Sequence, residues 1–306
     1  MILRHGPAEA GENPVPPDTV RVRTPAKVNL FLEVLGQRAD GYHEVATLLL
    51  AIDLFDELDF RPAPTGDLSL TCDVPELLTG PENLVLTAAR RLREETGFAG
   101  GATVRLTKRI PWAAGLGGGS SDAAATLAGL NELWKLGLSS AALARIGAEI
   151  GSDVPFFLNG PAAWCTGRGE MVTPVAVGRP FDLVLAKPSV GLATADVYRR
   201  VRTPANPVDG SAVKDALAAG DVDALGKVLF NRLQEPAFEL APTVADAERR
   251  MRSAGAAGVL MSGSGSCLFA LCRSPEEARR VHDDLSRGWA SEGVSPTRTF
   301  LVRSRP

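Results

Sequence analysis

The run Pro111-Trp112-Ala113-Ala114-Gly115-Leu116-Gly117-Gly118-Gly119-Ser120-Ser121-Asp122 places four glycines among the five residues from Gly115 to Gly119. Such a stretch builds no core, because glycine brings no side chain and loses more backbone freedom on ordering than any other residue. It offers bare backbone N–H groups instead. An apolar stripe at helical spacing follows, Ala123, Leu127, Leu130 and Trp134, so the loop opens a helix. A helix N-terminus carries about half a positive charge and several unbonded N–H groups, which makes this arrangement a natural phosphate cradle. The plainer alternative is an ordinary strand-to-helix turn. No Gly-Lys-Ser/Thr closes the loop as in a Walker A sequence, and Ser120 stands where the dinucleotide fingerprint has its third glycine.

Three other places carry candidate chemistry. In Thr24-Pro25-Ala26-Lys27-Val28-Asn29-Leu30, Lys27 and Asn29 share one face of a strand while Val28, Leu30 and Leu32 take the other. The pair is either a water-facing edge or a cation and an amide directed at a ligand. Asp153, in Gly151-Ser152-Asp153-Val154-Pro155, stands just past a helix end. It is either a carboxylate partly withdrawn from water or a turn residue. Tyr42 and His43, at the tip of the polar turn Gly36 to Glu44, offer an aromatic face and a two-sided hydrogen-bonding ring to a planar ligand, or form a simple exposed pair. Further on, two apolar runs flank Ser262-Gly263-Ser264-Gly265-Ser266, which suggests a second patch of exposed N–H groups.

The elements that must position these residues read as follows. Strands are expected at 20–22 with 24–34, 45–52, 57–60, 68–72 and 102–106. Asn83 leads a helix ended by Gly97, the glycine loop opens a second running to Trp134, and Ser139 or Ser140 caps a third ended by Gly151. A hairpin at 162–177 and a strand at 181–186 come next. Helices are expected at 211–219, 221–230 and 244–253, and a strand-helix-strand rhythm of ferredoxin-like type closes the chain. No internal repeat is visible.

Length and composition set the bounds. The 306 residues suffice for two domains. A net charge of −3 gives no basic field for nucleic acid or a membrane surface. The four cysteines, Cys72, Cys165, Cys267 and Cys272, are dispersed, and three scattered histidines make no metal cluster. No apolar run approaches the roughly 18 residues needed to cross a bilayer, and the Pro- and Gly-rich stretch 6–17 reads as a mobile arm. A cytoplasmic protein is expected.

The glycine loop resembles the phosphate loop of the GHMP small-molecule kinases: Pro, small residues, Gly-Leu-Gly, small residues, Ser-Ser, then alanines. The lysine strand, the glycine loop, the aspartate turn and the C-terminal Gly/Ser loop also occur in that family's order. The turn Ala39-Asp40-Gly41-Tyr42-His43 is similar to one branch, whose acceptor is a cytidine diphosphate conjugate of methylerythritol on the non-mevalonate route to isoprenoids. The likeness covers nearly the whole chain after Thr24.

The resemblance implies an α+β enzyme with a two-domain GHMP kinase fold. It implies a ribosomal-protein-S5-like ATP-binding domain over 20–179 and a ferredoxin-like domain over 180–306; the segment 1–19, read from its composition as a flexible arm, has no counterpart in the family. It further implies transfer of the γ-phosphoryl of ATP, with Mg2+ carried by the nucleotide and met by the Ser120 or Ser121 hydroxyl, to a tertiary hydroxyl. Asp153 falls on the base and Lys27 on the cation that orients it or steadies the developing charge. Asn83 and Lys108 fall near adenine. Pro111, Trp112, Ala113, Ala114, Gly115, Leu116, Gly117, Gly118, Gly119, Ser120 and Ser121 wrap the phosphates. Tyr42 and His43 fall on the cytosine pocket with Tyr198 on the other face of the base, and Asn29 and Thr194 fall near the substrate. Trp112-Ala113-Ala114 departs from the smaller residues usual there, and residues 199–241 carry no motif. The rival readings are a kinase indifferent to cytidine, a non-catalytic nucleotide sensor, against which Lys27 and Asp153 speak, and an RNA-binding module, against which the charge speaks.

Overall fold

The computed structural model describes residues 3–4, 18–291 and 297–305. Most of the arm expected over 1–19 lies outside the described residues. Its β1 (Leu3–Arg4) pairs antiparallel with β2 (Val20–Gln37). A turn tied by the Arg38 N–H to the Tyr42 carbonyl leads into β3 (His43–Ala63). Strands are expected at 45–52 and 57–60, whereas β3 runs unbroken through the acids Asp53, Asp56, Glu57 and Asp59. The strand continues because those carboxylates find partners: Arg21 grips Asp59 with two hydrogen bonds of 2.7 and 3.0 Å, and Asp56 is held as described below.

Then follow β4 (Leu68–Cys72), α1 (Leu84–Thr96), β5 (Gly101–Thr107), α2 (Gly118–Leu133), α3 (Ser140–Ile150) and α4 (Val154–Asn159). The Asn83 side chain caps α1 by accepting from the Val85 N–H, and Gly97 ends it in the left-handed conformation only glycine adopts without strain. Ser139 caps α3 in the same way. The second half of β3 pairs antiparallel with β5, and β5 pairs parallel with β4. These elements make up one compact unit, Met1–Ala26, Leu54–Ile110 and Gly117–Gly160. Within it α2 packs on α1, α3 and α4. One apolar face was expected on α2, yet residues 121–127 are all buried. Alanines and Gly129 make the helix slim enough to be enclosed.

The second unit comprises Lys27–Asp53, Pro111–Leu116 and Pro161–Pro306. Neither unit is continuous in sequence: β2 and β3 each run through both. The elements completing the second unit are β6 (Ala162–Thr166), β7 (Met171–Pro174), β8 (Asp182–Lys187), α5 (Thr194–Arg200), α6 (Ser211–Ala219), α7 (Val222–Val228), β9 (Phe230–Asn231), α8 (Gln234–Leu240), α9 (Pro242–Ser253), β10 (Gly258–Met261), β11 (Leu268–Cys272), α10 (Pro275–Ser291) and β12 (Arg298–Arg303).

The strands β10-β11-β8-β12 form an antiparallel sheet in that order. With helices between β8 and β10 and between β11 and β12, this is the strand-helix-strand, strand-helix-strand plan of a ferredoxin-like domain. Its core gathers Val184, Met251, Met261, Leu268, Val281 and Trp289 among others. Among the short elements not anticipated are α5 and α8, and β9 takes Phe230 from the end of the helix expected over 221–230. Each of the two helices is seven residues long, too short for its own periodicity to show.

A Cβ placed on Gly129 would lie 2.4 Å from the fully buried Phe60 ring. Alanine improves helix propensity by up to ~1 kcal/mol, but overpacking costs ~1 to 3 kcal/mol. Gly129→Ala is therefore expected to lower the melting temperature; an unchanged or raised value in a thermal melt would contradict this packing.

Candidate active site

Three successive carbonyls of the glycine loop are tied back within the second unit. The Ala114 carbonyl accepts from the Cys267 N–H at 3.1 Å, and the Leu116 carbonyl from the Lys27 N–H at 3.0 Å. Between them the Gly115 carbonyl accepts from Lys27 Nζ at 3.0 Å and from Ser262 Oγ at 2.9 Å. In a planar trans peptide the carbonyl and the following N–H point in opposite directions. Holding these three carbonyls therefore turns the N–H groups of Gly115, Leu116 and Gly117 the other way. Gly115 itself is obligatory: its φ is +75° and a Cβ would sit 2.0 Å from the Ser262 carbonyl oxygen.

Ala113 stands in the left-handed region at φ +49° without being glycine, a conformation costing ~1 to 2 kcal/mol. Trp112 beside it is exposed.

Lys27 and Asn29 are both buried, which removes the water-facing alternative for that strand face. Lys27 Nζ donates to Asn29 Oδ1 at 2.6 Å. The Asn29 amide donates in turn to Thr47 Oγ1 at 2.9 Å, and Thr47 donates to the Phe31 carbonyl. This chain fixes the Asn29 oxygen toward the lysine. The Gly/Ser loop does not expose its N–H groups as expected. Residues 262–267 are buried, and the Ser262 N–H is taken by the Cys267 carbonyl. Its closeness to Lys27, with a Cβ on Gly263 falling 3.3 Å from Nζ, makes it part of the lysine's cage.

In the first unit, α2 begins with Gly117 at its N-cap, φ +71°. The Ser121 N–H closes the first helical bond, to the Gly117 carbonyl, so the unpaired N–H groups of the helix end stop at Ser120. The Ser121 hydroxyl also turns inward, donating to the Pro25 carbonyl at 2.6 Å with Thr24 Oγ1 2.6 Å away. Ser121 therefore serves the fold, and Ser120, half-buried, is the hydroxyl left at the loop. Among the described residues no hydrogen bond is made by the N–H groups of Gly115 to Ser120. The aspartate turn lies beside this helix end: a Cβ on Gly151 would be 3.8 Å from Ser120 Oγ. Asp153 occupies the N-cap position of α4 but does not cap it.

The two residues expected near adenine both make contacts within the first unit. Asn83 caps α1 through its oxygen and donates its amide to the Leu78 carbonyl. Lys108 is buried in an ion triad, 2.5 Å from Asp56 Oδ2 and 2.8 Å from Asp122 Oδ2. The other Asp56 oxygen accepts from the Arg109 and Ile110 N–H groups at 2.6 and 2.9 Å. Lys108 Nζ would lie 3.1 Å from a Cβ on Gly118, so the triad sits directly under the first turn of α2. Burial pulls the Lys108 pKa down, but Asp122 and Asp56 outweigh it and the net shift is upward. Burial, with the neighbouring Asp56 charge, pushes the Asp122 carboxyl well above its usual range, against the pull of Lys108. Asp122 Oδ1 has no hydrogen-bond partner.

Among the residues expected at cytosine, the His43 and Tyr198 rings are 5.0 Å apart and tilted by 37°. A base cannot lie between those two rings. Tyr42 is exposed at the turn and carries the Arg168 guanidinium 4.8 Å from its ring centre. Thr194 Oγ1, at the start of α5, is 2.9 Å from Ser264 Oγ. Sequence reasoning missed Ser262 as a partner of the loop, the acids of the triad, and Arg168. The Gly/Ser composition marked Ser262's loop without showing what it touches, and Asp56 and Asp122 lie 66 residues apart in the chain.

The pH response of the triad follows from its sign. Asp122 binds its proton more tightly folded than unfolded, so its stabilising contribution is full below the ordinary carboxyl value of 3.8 and is lost as pH rises through the elevated one. Asp122→Asn keeps the shape and cannot ionise. Its melting temperature is expected to fall less than that of the wild type as pH rises above the ordinary carboxyl value of 3.8; equal slopes would refute the assignment.

Comparison with known proteins agrees with this architecture. Residues 83–161 match the GHMP kinases N terminal domain and residues 213–291 the GHMP kinases C terminal domain. A 4-diphosphocytidyl-2-C-methyl-D-erythritol kinase of Pelotomaculum thermopropionicum is 44% identical over 91% of this chain and 97% of its own. Another from Geobacillus thermodenitrificans is 44% identical over 89% and 94%. A crystal structure of 4-(cytidine 5'-diphospho)-2C-methyl-D-erythritol kinase superposes with a TM-score of 0.77 at 38% identity, covering 94% of this chain and 99% of that one. With both family domains in order and relatives this similar along nearly all their length, the chain belongs to the GHMP kinases, in the family of the 4-diphosphocytidyl-2-C-methyl-D-erythritol kinases.

Proposed function

We propose that this chain transfers the γ-phosphoryl group of ATP to the 2-hydroxyl of 4-diphosphocytidyl-2-C-methyl-D-erythritol, giving the 2-phosphate and ADP in the non-mevalonate route to isoprenoid precursors. The observation that carries this reading is the loop whose carbonyls at 114–116 are tied back while the N–H groups of 115–120 stay unpaired. Six such donors running into a helix N-terminus suit a polyphosphate tail. The relatives named for this reaction supply the acceptor.

Phosphoryl transfer asks chiefly for alignment and charge stabilisation. In the proposed step Asp153 takes the proton of the 2-hydroxyl as its oxygen bonds to the γ-phosphorus. The bond from that phosphorus to the β,γ-bridging oxygen breaks, and ADP leaves with the electron pair. Lys27, held by Asn29 and the Gly115 carbonyl, supplies the fixed positive charge beside the reacting oxygens. Magnesium carried in with ATP would neutralise charge on the transferring group. The half-buried Ser120 hydroxyl fits as its protein oxygen, whereas the inward-turned Ser121 does not. Lys108 and Asn83 serve nucleotide binding by fixing the loop and α1 rather than through a free side chain.

For the cytidine end, Tyr42 and Tyr198 take the two faces of the base while His43, already against Tyr198, reads its edge. Asn29 and Thr194 border the methylerythritol. The two family-model matches fall on either side of residue 179, which supports domains at 20–179 and 180–306 as the family's modules. A cytoplasmic enzyme fits the balanced charge.

A coupled assay for ADP release tests the reading. Release is expected with the cytidine diphosphate conjugate and not with free methylerythritol, and equal turnover of both would overturn the assigned acceptor. Asp153→Asn is expected to leave both Kd values nearly unchanged while cutting kcat by ~10²-fold or more, the scale of a lost general base; near-normal kcat would remove that role. Tyr42→Ala is expected to raise KM for the cytidine substrate more than for ATP, since base stacking on an aromatic is worth ~1 to 3 kcal/mol. An unchanged substrate KM would place the base elsewhere.

A further inference from the structure

Residues 199–241 carry no sequence motif, yet one side chain there reaches the lysine's cage. Asn231, in β9, is buried. Its amide nitrogen donates to two backbone carbonyls, Met261 at 2.7 Å and Gly263 at 2.8 Å. Its oxygen accepts from the Leu233 N–H at 2.9 Å. Both amide hydrogens and the oxygen are thus engaged, so the side chain has one orientation. Close by, Gln234 Oε1 accepts from the Met261 N–H at 3.0 Å. These two side chains stand in for a neighbouring strand at the free edge of β10.

Asn231 reaches past the strand end, and Gln234 does not. Gly263 lies at φ +56°, and its Cβ direction points at the Gly115 carbonyl, Lys27 Nζ and Asn29 Oδ1, at 3.2, 3.3 and 3.4 Å. Its carbonyl is the one Asn231 holds. The preceding residue, Ser262, donates to the Gly115 carbonyl that Lys27 also binds. A shift of Gly263 therefore moves two walls of the lysine's cage together.

The anchor itself is firm. β9 pairs parallel with β2 at Phe31 and Leu32, on the strand that bears Lys27. The next residue, Arg232, makes two hydrogen bonds of 2.7 Å to the wholly buried Glu33. That carboxyl also accepts from the Val34 and Val208 N–H groups. Burial raises the Glu33 pKa, but Arg232 and the two backbone donors outweigh this and hold it below the usual range.

We propose that Asn231 is a positioning residue for phosphoryl transfer: by clamping the Gly263 carbonyl it holds the Gly/Ser loop against Lys27, and so sets where the ammonium stands. This rests on the role proposed for Lys27 above. A residue acting on the cation beside the reacting oxygens should affect the chemical step and leave ground-state binding largely alone.

The test compares Asn231→Ala with Gln234→Ala, measuring kcat, KM for ATP, KM for the cytidine substrate and melting temperature. Asn231→Ala is expected to lower kcat by about tenfold or more, with both KM values within about threefold of wild type. Gln234→Ala, which loosens the same strand end without touching Gly263, is expected to lower the melting temperature yet keep kcat within about twofold. Normal kcat in Asn231→Ala, or equal kcat losses in both variants, would overturn the proposal in favour of a purely structural asparagine. If Asn231→Ala does not fold, Asn231→Ser, which keeps one donor, carries the same comparison. Wild-type protein that releases no ADP with the cytidine substrate would instead remove the function itself.

Discussion

The peptide groups from Ala114 to Gly117 can show a ligand either their carbonyls or their N–H groups, and everything proposed here depends on which. Cys267, Lys27 and Ser262 settle it by taking the carbonyls. An unsatisfied carbonyl directed at a phosphate would repel it, whereas an N–H attracts it, so the same glycines without these partners would make no cradle. The loop thus depends less on its own composition than on the donors that stand behind it. Lys27 serves twice, with its main-chain N–H on Leu116 and its ammonium on Gly115. The cation and the phosphate donors are thereby set by the same pair of hydrogen bonds.

Buried charge is used in two ways. Glu33 and Arg232 form a two-bond pair whose remaining acceptor capacity is filled by backbone N–H groups. That satisfied arrangement makes a rigid brace between β9 and β2. The triad of Lys108, Asp56 and Asp122 is different, with two acids facing one base and one oxygen left without a partner. Two charges withdrawn from water gain little unless every group is paired. Raising the Asp122 pKa lowers that cost by letting the extra negative charge be neutralised. The triad lies beneath Gly118, where stiffness in the first turn of α2 keeps the helix-end donors pointing one way.

Elements of this chain are written in its local sequence more fully than its contacts are. β4, the helix bounds at Asn83 and Gly97 and a serine cap at 139 or 140 are legible because turn chemistry and alternation are local properties. That β3 is one strand rather than two depends on partners of Asp56 and Asp59 that come from distant parts of the chain. The place of Lys108 near the nucleotide comes from the resemblance, while its ion pairs with Asp56 and Asp122 depend on acids that no local pattern joins to it. The pairing of His43 with Tyr198 joins residues 155 positions apart, which no spacing rule reports.

By itself the sequence determined the chemical inventory: a glycine-rich turn opening a helix, a lysine and an asparagine on one strand face, an aspartate at a helix junction, and the order in which they occur. Local backbone preferences and motif order are written along the chain, and they were enough to identify the kinase family. Tertiary structure alone decided direction and availability. It turned the loop's carbonyls inward, committed Ser121 to the Pro25 carbonyl, enclosed Lys108 between two acids and brought Asn231 to Gly263. Each of these is a hydrogen bond or ion pair between residues far apart in the chain, and which donor meets which acceptor is fixed only when the strands and helices carrying them pack.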